Sequence, residues 1–243
     1  MFGSKKTLAQ TGILNGFTDL HSHILPGVDD GIQSAEEALK ILKAYEEFGV
    51  KKVVFTPHIM EEYPQNSPEF LRSRFDDFRR QYTGTIELAL GAEYMLDNRF
   101  GAWLDAQDLL PVMEGFLLIE TAFMSSPLNL AERLQEVRSK GYFVILAHPE
   151  RYAYMRKEDY SRLKEAGVFF QLNLLSIVGG YGKGVEKKAR ELLHCGAYDF
   201  IGTDIHHFHH HMHALTHEKI GRREEDLLMR LNSKSFYNTS AVR

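Results

Sequence analysis

The chain of 243 residues has a single cysteine, Cys195, and therefore cannot form an internal disulfide bond. No apolar run approaches the roughly 20 residues that a membrane-spanning helix needs. Residues 1–6 carry positive charge but are not followed by the apolar segment of a secretory signal. These absences predict a cytoplasmic protein that does not insert into membranes.

Basic residues are fewer than acidic ones, with 29 Lys and Arg against 33 Asp and Glu. The formal net charge is −4 and no basic stripe is present, which argues against broad nucleic-acid binding. Only seven prolines occur, no Pro/Ser-rich linker or repeat interrupts the chain, and 44% of the residues are hydrophobic. We therefore predict one domain over residues 1–243, with 1–15 as an N-terminal extension and 233–243 as a C-terminal tail.

Two common phosphate chemistries lack their sequence signatures. The glycines at 179, 180 and 182 are not followed by the Lys-Ser/Thr pair of a Walker-type loop. Cys195 lies near a predicted helix end without a phosphate-binding loop, so we predict a structural role for it. The sequence therefore gives no sign of a Walker-type nucleotide site or of a cysteine nucleophile.

Short apolar runs alternate with amphipathic segments along the chain. We predict seven strands, at residues 17–20, 52–56, 86–90, 116–120, 142–147, 168–172 and 200–203. Helices are predicted from Ser34 to Gly49, from Ser67 onward, around 103–109, and at 128–140, 157–166 and 185–194. Repeated helix–glycine–strand transitions are typical of βα units. They predict an α/β fold, a distorted (β/α)7 barrel, with a doubly wound open sheet as the alternative.

Histidine is the enriched residue type, and outside the tract 206–217 four of its five positions lie at predicted strand ends. His21 and His23 are two residues apart, so both imidazoles lie on one face of a strand, and Asp19 shares that face. A carboxylate beside a histidine is the usual partner that fixes its tautomer for metal binding. This pattern by itself is a weak metal signal.

The other strand ends strengthen that signal, because in a βα barrel functional residues follow the carboxyl ends of the strands. The side chains delivered there are Asp30, His58, Glu93, Glu120, His148, Gln171, Asn173, Asp204 and His206. Imidazole with carboxylate is the ligand mix of hydrolytic metal sites, and about eight ligands are too many for one ion. We therefore expect two or three ions bridged by a carboxylate such as Glu93, with Glu120 as a cap or a supporting carboxylate.

The expected charge of the site indicates the substrate class. Two or three divalent ions outweigh the carboxylates that hold them, so the site stays cationic and favours a phosphate ester. Arg151, three residues after His148, adds a planar fork suited to phosphate oxygens.

Seven of the twelve histidines lie in the tract 206–217. His206 is assigned to the site because it follows Asp204 by two residues. The rest of the tract is predicted to be a mobile loop over the mouth of the barrel, prone to adventitious metal binding. His207 and His209 are candidates for substrate contact.

Five segments, in order and across almost the whole chain, resemble the polymerase-and-histidinol-phosphatase (PHP) superfamily, above all its bacterial tyrosine phosphatases of capsule and exopolysaccharide loci. They are Asp19-x-His21-x-His23 with Leu25-Pro26-Gly27-Val28-Asp29-Asp30-Gly31, Thr56-Pro57-His58, Gly91-Ala92-Glu93-Tyr94, Ala147-His148-Pro149-Glu150-Arg151-Tyr152 and Gly202-Thr203-Asp204-x-His206. The segments at 25–31 and 148–152 are the more specific signals, since His-x-His is shared by many metallohydrolases.

The resemblance implies a distorted seven-stranded barrel with two or three divalent ions, manganese first, with Fe, Zn, Co or Mg as alternatives. Its ligands would be His21, His23, Asp30, His58, Glu93, His148, Asp204 and His206. Arg151 would bind phosphate, and Arg151 and Asp30 would serve catalysis. The implied reaction is hydrolysis of protein phosphotyrosine by attack of metal-bound hydroxide on phosphorus.

The implied partner is the tyrosine-rich tail of a membrane-associated kinase that controls polysaccharide export. Self-association stays open. Two alternatives remain: a small-molecule phosphomonoesterase such as a histidinol phosphatase, and a catalytically weak metal-binding scaffold. The family commonly has a second arginine after the Asp-x-His motif, where this chain has histidine and phenylalanine. Either a histidine takes its place or phosphate is bound more weakly.

Overall fold

All seven predicted strands are present in the computed structural model, which describes residues 5–240, with side chains up to Ser233. Six strands form one parallel sheet in the order β10-β9-β8-β7-β6-β4, and three form a second parallel sheet, β2-β3-β5. Their bounds, with the antiparallel pair β1 and β11, are β1 Lys6–Thr7, β2 Thr18–Asp19, β3 Lys52–Phe55, β4 His58–Ile59, β5 Glu87–Leu90, β6 Glu93–Met95, β7 Phe116–Glu120, β8 Phe143–Ala147, β9 Phe169–Asn173, β10 Phe200–Gly202 and β11 Lys219–Ile220.

The helices follow the strands in the order expected of βα units. They are α1 Leu8–Thr11, α2 Ala35–Phe48, α3 Pro68–Arg79, α4 Phe100–Ala106, α5 Leu130–Ser139, α6 Lys157–Glu165, α7 Lys183–His194, α8 Phe208–His217 and α9 Arg222–Ser240. The predicted serine caps are present: Ser34 Oγ accepts from Glu37 N–H and Ser67 Oγ accepts from Phe70 N–H. None of the described helices is both long enough and apolar enough to cross a bilayer.

The two parallel sheets are adjacent along their edges. Beyond β2, Ser22 forms an isolated parallel bridge with Ile205, which follows β10. Thr56 N–H donates to Ser22 C=O at 2.8 Å, and Gly91 N–H donates to Phe55 C=O at 2.8 Å, so β3 and β5 run on towards β4 and β6. The α/β class with parallel strands is confirmed, whereas the (β/α)7 barrel stays a prediction because strand pairing divides into two sheets.

Burial explains why these runs form strands. In β7 and β8 nearly every residue is buried, whichever face it occupies, as expected for parallel strands covered on both sides. Tyr45 of α2 and Phe170 of β9 are among the fully buried side chains of the large core. Helices therefore cover the sheets, which leaves the ends of the strands and the loops after them for function.

The structure adds detail at both predicted chain ends and at the start of one helix. The segment predicted as an N-terminal extension is held to the fold, because β1 pairs with β11 and Leu8, Ile13 and Leu14 are buried. The predicted tail is helical up to Ser240 as part of α9. The helix predicted from residue 128 begins at Leu130, because Asn129 has a left-handed backbone with φ of 55°.

The prediction of a mobile loop for the histidine tract is wrong. The tract forms helix α8, because His211, Ala214 and Leu215 are buried and give the segment an inward face. Composition does not indicate this helix, because repeated histidine obscures its periodicity.

Gly202 is needed where β10 passes the strand that carries His21. A Cβ at this position would lie 2.5 Å from His21 Cβ, so Gly202→Ala should displace β10 or His21 and destabilise the fold by about 1–3 kcal/mol. Gly184 in α7 has open space where a Cβ would lie, with nothing within 4 Å, so Gly184→Ala should be neutral or stabilising by up to ~1 kcal/mol. Urea unfolding of both variants measures the difference, and equal stabilities would contradict the close approach at Gly202.

Candidate metal centre

The predicted strand-end residues converge on one buried place. His21 and His23 follow β2, His58 begins β4, Glu93 begins β6 and His148 follows β8. The others in this place are Asp30, Glu120, Asp204 and His206. Because the strands are parallel, their carboxyl ends meet at one edge, and residues far apart in sequence become neighbours.

Glu93 lies at the middle of this cluster. Its Oε2 is 3.1 Å from His21 Nε2, 3.2 Å from His23 Nε2 and 3.2 Å from His58 Nδ1. Its Oε1 is 3.0 Å from His148 Nε2. A carboxylate with both oxygens among four imidazoles could bridge ions, and that predicted role of Glu93 stays a prediction.

Three groups of side chains could each hold a metal ion, since their ligand atoms lie within 4.8 Å of one another. Glu93 belongs to two of the groups, and His23 and His58 also belong to two. The groups are His21, His23, Glu93 and Asp204; His58, Glu93 and Glu120; and His23, Asp30, His58 and His206. Shared members mean that ions held here would be neighbours.

Unpartnered polar atoms are concentrated in this cluster. Among the described residues, the buried side-chain atoms without a hydrogen bond include His58 Nδ1, Glu93 Oε2, Glu120 Oε1, His148 Nδ1 and Asp204 Oδ1. Buried polar atoms are normally hydrogen-bonded, because an unpaired one is costly. Four of these atoms converge on the cluster, whereas His148 faces it with Nε2 and not with Nδ1. Nitrogen and oxygen donors that converge without hydrogen-bond partners fit divalent cations, so the donor set supports a metal site.

Asp204 shows how one carboxylate divides its two oxygens. Its Oδ2 accepts hydrogen bonds from Arg151 at 2.8 Å and from Asn173 Nδ2 at 2.6 Å. Its Oδ1 has no hydrogen bond and lies 3.3 Å from His21 Nε2. The first oxygen fixes the orientation of the carboxylate, and the second remains available to a cation.

The imidazoles have outer partners too, and these differ from the prediction. His21 Nδ1 lies 2.9 Å from Gln171 Oε1, and His23 Nδ1 lies 2.9 Å from Asp29 Oδ2. Asp19 was expected in this role. It instead accepts from the backbone N–H of His21 and from Thr203, because its carboxylate turns towards β10.

The charges of the cluster shift its pKa values strongly. Burial alone would lower the pKa of His21, but the charges of Glu93 and Asp204 raise it to about 10. Burial would also lower the pKa of His58, but the charge of Glu120 raises it, to about 10. Carboxylates that draw protons onto buried imidazoles provide a negative site in which cations can replace those protons.

Two cluster residues adopt a strained backbone. His148 has φ of 31° and Asp204 has φ of 53°, in the left-handed region that non-glycine residues seldom occupy. Both lie where a strand ends and the chain turns sharply. Such strain persists where the surroundings fix the conformation, and it is typical of functional sites.

The cluster opens to solvent through two adjoining cavities that share Asp30, Arg151, Asp204 and His206. The first, about 240 Å³, reaches His58, Glu93, Glu120 and His148 and is bounded by Tyr63 and Phe123. The second, about 370 Å³, is bounded by Leu175, Tyr181, His207, His210 and His211. We call the two together the mouth.

Arg151 stands between the two cavities. Its guanidinium lies 4.3 Å from the Phe123 ring centroid and 4.4 Å from that of Tyr181, as in cation–π contacts. The side chain is 20% exposed, so part of the fork faces the mouth while Asp204 holds it from below. Arg151 is therefore oriented beside the candidate metal ligands.

The two other predicted substrate contacts, His207 and His209, differ in their positions. His207 lines the second cavity, whereas His209 is exposed and lines neither cavity of the mouth. His210 and His211 line the wall instead, because α8 turns those positions towards it. The role of each in binding substrate stays a prediction.

Two members of the site were missed or undervalued from sequence. Glu120 belongs to a candidate metal group with His58 and Glu93, so it could be a ligand as well as a supporting carboxylate. Asp29 bonds both His23 Nδ1 and the backbone N–H of His58. The adjacent acidic pair Asp29-Asp30 was a signal for it, but sequence does not show which of the two carboxylates turns inward.

Comparison with known proteins gives a consistent set of relatives. The family model described as capsular polysaccharide synthesis, CpsB/CapC, matches residues 17–234. The tyrosine-protein phosphatase YwqE of Bacillus subtilis is 25% identical over 194 residues, which cover 77% of this chain and 76% of the relative. The tyrosine-protein phosphatase CpsB of Streptococcus pneumoniae is 27% identical over 203 residues, covering 77% and 82%.

Solved structures of YwqE from Bacillus subtilis and CpsB from Streptococcus pneumoniae, described as unique metal-dependent tyrosine phosphatases, resemble this fold. The match has a TM-score of 0.78 at 22% identity and covers 92% of each chain. At that identity the likeness shows a shared fold.

Removal of divalent metal should lower the midpoint of thermal unfolding, because ions bind the folded cluster and not the unfolded chain. An ion at 100 times its Kd adds ~2.7 kcal/mol, or roughly 5–10 °C for a chain of this length. Calorimetry with Mn²⁺ and with EDTA measures the shift. Glu120→Gln should reduce it and the exposed Glu132→Gln should preserve it; a full shift in Glu120→Gln would remove Glu120 from the site.

Proposed function

Because the chain belongs to the CpsB/CapC family of capsular polysaccharide synthesis, we propose that it is a metal-dependent protein-tyrosine phosphatase. The membership confirms the resemblance to bacterial tyrosine phosphatases predicted from the motifs. The observation that supports the reaction is the buried histidine–carboxylate cluster around Glu93, with Arg151 oriented beside it at an open mouth.

We infer that the two parallel sheets belong to one distorted seven-stranded barrel. The bridge between Ser22 and Ile205 joins the segment after β2 to the segment after β10, and each of these strands lies at one edge of its parallel sheet. His23 N–H donates to Ile205 C=O at 3.1 Å and Asp204 N–H donates to His21 C=O at 2.7 Å. Closure at this point brings the ligands of the first and last strands together.

The residues that would hold the ions are the eight of the resemblance, His21, His23, Asp30, His58, Glu93, His148, Asp204 and His206, with Glu120 added. We expect two or three ions, with manganese first. Divalent ions supply a water of lowered pKa, to about 7, and neutralise the charge of the phosphate oxygens.

Arg151 is proposed to bind the phosphate group. Its planar fork can donate two parallel hydrogen bonds to phosphate oxygens, and Phe123 and Tyr181 hold the plane from either side. His207 and His210 are histidines on the wall, after the Asp-x-His motif, where the family resemblance implies a second arginine. Either can donate a hydrogen bond to an anion there, though with less charge than arginine.

Asp30 is the most exposed member of the cluster. Its side chain is 58% exposed and lies 3.4 Å from His58 Nε2 and 3.5 Å from His206 Nε2. A hydrogen bond from His206 lowers the pKa of the Asp30 carboxyl well below its usual range. Asp30 is therefore ionised at neutral pH, and at the mouth it can hold an ion and accept a hydrogen bond from water.

The proposed substrate is a phosphotyrosine protein. Because the family takes part in capsule synthesis, we propose that this protein is a tyrosine kinase of that pathway. The mouth has a shared rim over two cavities, which suits an extended polypeptide better than a closed pocket would. We propose that the enzyme acts in the cytoplasm on the tail of a membrane-associated kinase.

The test compares two substrates with one enzyme preparation. Protein reconstituted with Mn²⁺ should hydrolyse a phosphotyrosine peptide with a kcat/KM at least about 100-fold above that for histidinol phosphate, a discrimination of ~2.7 kcal/mol. The reverse preference would establish the small-molecule phosphatase. If neither substrate is turned over although metal is demonstrably bound, the result would support the alternative of a catalytically weak metal-binding scaffold.

Glu93→Gln should lose at least about 100-fold in kcat/KM, because it removes the charge at the centre of two metal groups. His58→Ala should behave alike. Both should retain the circular dichroism spectrum of the parent. The control is Glu87→Gln, whose carboxylate is 67% exposed at the opposite end of β5. Full activity in Glu93→Gln would contradict the proposed cluster.

Arg151→Ala should raise KM for the phosphotyrosine peptide by roughly 10–100-fold, since charge-assisted hydrogen bonds contribute about 1.5–3 kcal/mol. Steady-state kinetics measures KM and kcat separately. Arg80→Ala, which removes an exposed surface arginine paired with Asp77, is the matched control. An unchanged KM in Arg151→Ala would exclude its contact with phosphate.

A further inference from the structure

Large apolar side chains are exposed in the loop that contributes Phe123 to the mouth. Among the described residues, the two most exposed are Met124, at 79%, and Leu128, at 88%. Both lie in the loop 121–129 that follows β7, and Phe123, at 36%, is next to them. We call Phe123, Met124 and Leu128 the apolar rim.

The rim is continuous with the site. Phe123 lines the cavity that reaches His58, Glu93 and His148, and its ring lies 5.7 Å from that of His148. The loop follows directly after Glu120, a member of a candidate metal group. A substrate whose phosphorylated side chain enters this cavity has its neighbouring residues beside the rim.

The base of the loop is firmly anchored. Thr121 N–H donates to Tyr152 Oη at 3.2 Å, and Thr121 Oγ1 lies 2.7 Å from Tyr154 Oη. Ala153 N–H donates to Phe123 C=O at 2.8 Å. The segment after His148 therefore holds the loop in position, and the exposure of its tip is built into the fold.

Folding does not explain the exposed side chains. Neither Met124 nor Leu128 belongs to the hydrophobic core or packs against it. Serine or lysine would be equally compatible with a loop in solvent, and apolar side chains exposed together mark binding surfaces.

We propose that the apolar rim binds a large apolar side chain that flanks the phosphotyrosine of the substrate protein. This inference rests on the proposed phosphatase function and names the sequence class of its substrates. The occupant is the substrate polypeptide because the loop that carries the rim borders, through Phe123, the cavity that the phosphorylated side chain enters.

The rim also implies a division of labour within the mouth. Metal ligands and Arg151 contact the phosphate, which every phosphotyrosine shares, whereas the rim contacts residues that differ between substrates. Apolar anchors in a contact surface carry a large share of binding energy. The rim should therefore affect KM for peptides and leave the chemical step unchanged.

Two synthetic phosphotyrosine peptides test this, identical except for leucine or serine on both sides of the phosphotyrosine. The parent enzyme with Mn²⁺ should show a KM about tenfold lower for the leucine peptide. The double variant Met124→Ser with Leu128→Ser should have nearly equal KM values for the two peptides, with kcat unchanged. Hydrolysis of p-nitrophenyl phosphate, which has no flanking residues, should be the same in both enzymes.

Met229→Ser is the matched control, because Met229 is an exposed methionine, at 39%, on α9. It should retain the preference for the leucine peptide. Equal KM values of the parent for both peptides would overturn the inference, and so would an intact preference in the double variant. A change from oligomer to monomer in the double variant, seen by light scattering, would assign the rim to self-association instead.

The failure of the phosphatase proposal is distinguishable. If the parent with bound Mn²⁺ hydrolyses neither peptide nor p-nitrophenyl phosphate, the function itself is overturned and the rim inference with it. If p-nitrophenyl phosphate and both peptides are hydrolysed without any preference, only the rim inference is overturned.

Discussion

The burial of Glu93 is the constraint on which the rest of the site depends. A carboxylate without exposure is costly to bury unless opposite charge surrounds it. Here the neighbours are His21, His23, His58 and His148, each within 3.2 Å of one of its oxygens. The arrangement is balanced either by protons on the imidazoles or by cations, and the unpartnered acceptor atoms favour cations.

The parallel strands bring the side chains that surround Glu93 together with few residues. The strands contribute one or two side chains near their carboxyl ends, and residues of neighbouring strands and loops orient several of them. Gln171 and Asp29 hold the imidazoles of His21 and His23, and Asn173 and Arg151 hold Asp204. Because one nitrogen or oxygen of each of these three side chains is engaged outward, the other is left facing the centre.

The mouth separates general from particular recognition. Its floor of imidazoles and carboxylates, with Arg151 between two aromatic rings, suits any phosphate monoester. Its sides are made by α8, with His207 and His210, and by the loop after β7, with Phe123. Apart from Phe123, which contacts Arg151 and His148, these sides come from residues outside the candidate ligand set, so specificity between substrates belongs there.

The α/β class, the seven strands and the candidate ligands could be predicted from sequence, because alternating apolar runs and strand-end histidines are local patterns with a direct physical meaning. The pairing of carboxylates with histidines could not be predicted in this way: Asp29 holds His23, Asp19 turns to Thr203, and Glu120 joins the cluster. The tertiary structure decided this pairing, and it also decided that the histidine tract is a helix with an inward face. Those outcomes depend on contacts between residues up to 184 positions apart, such as Asp19 and Thr203, and no local pattern reports the geometry of such pairs.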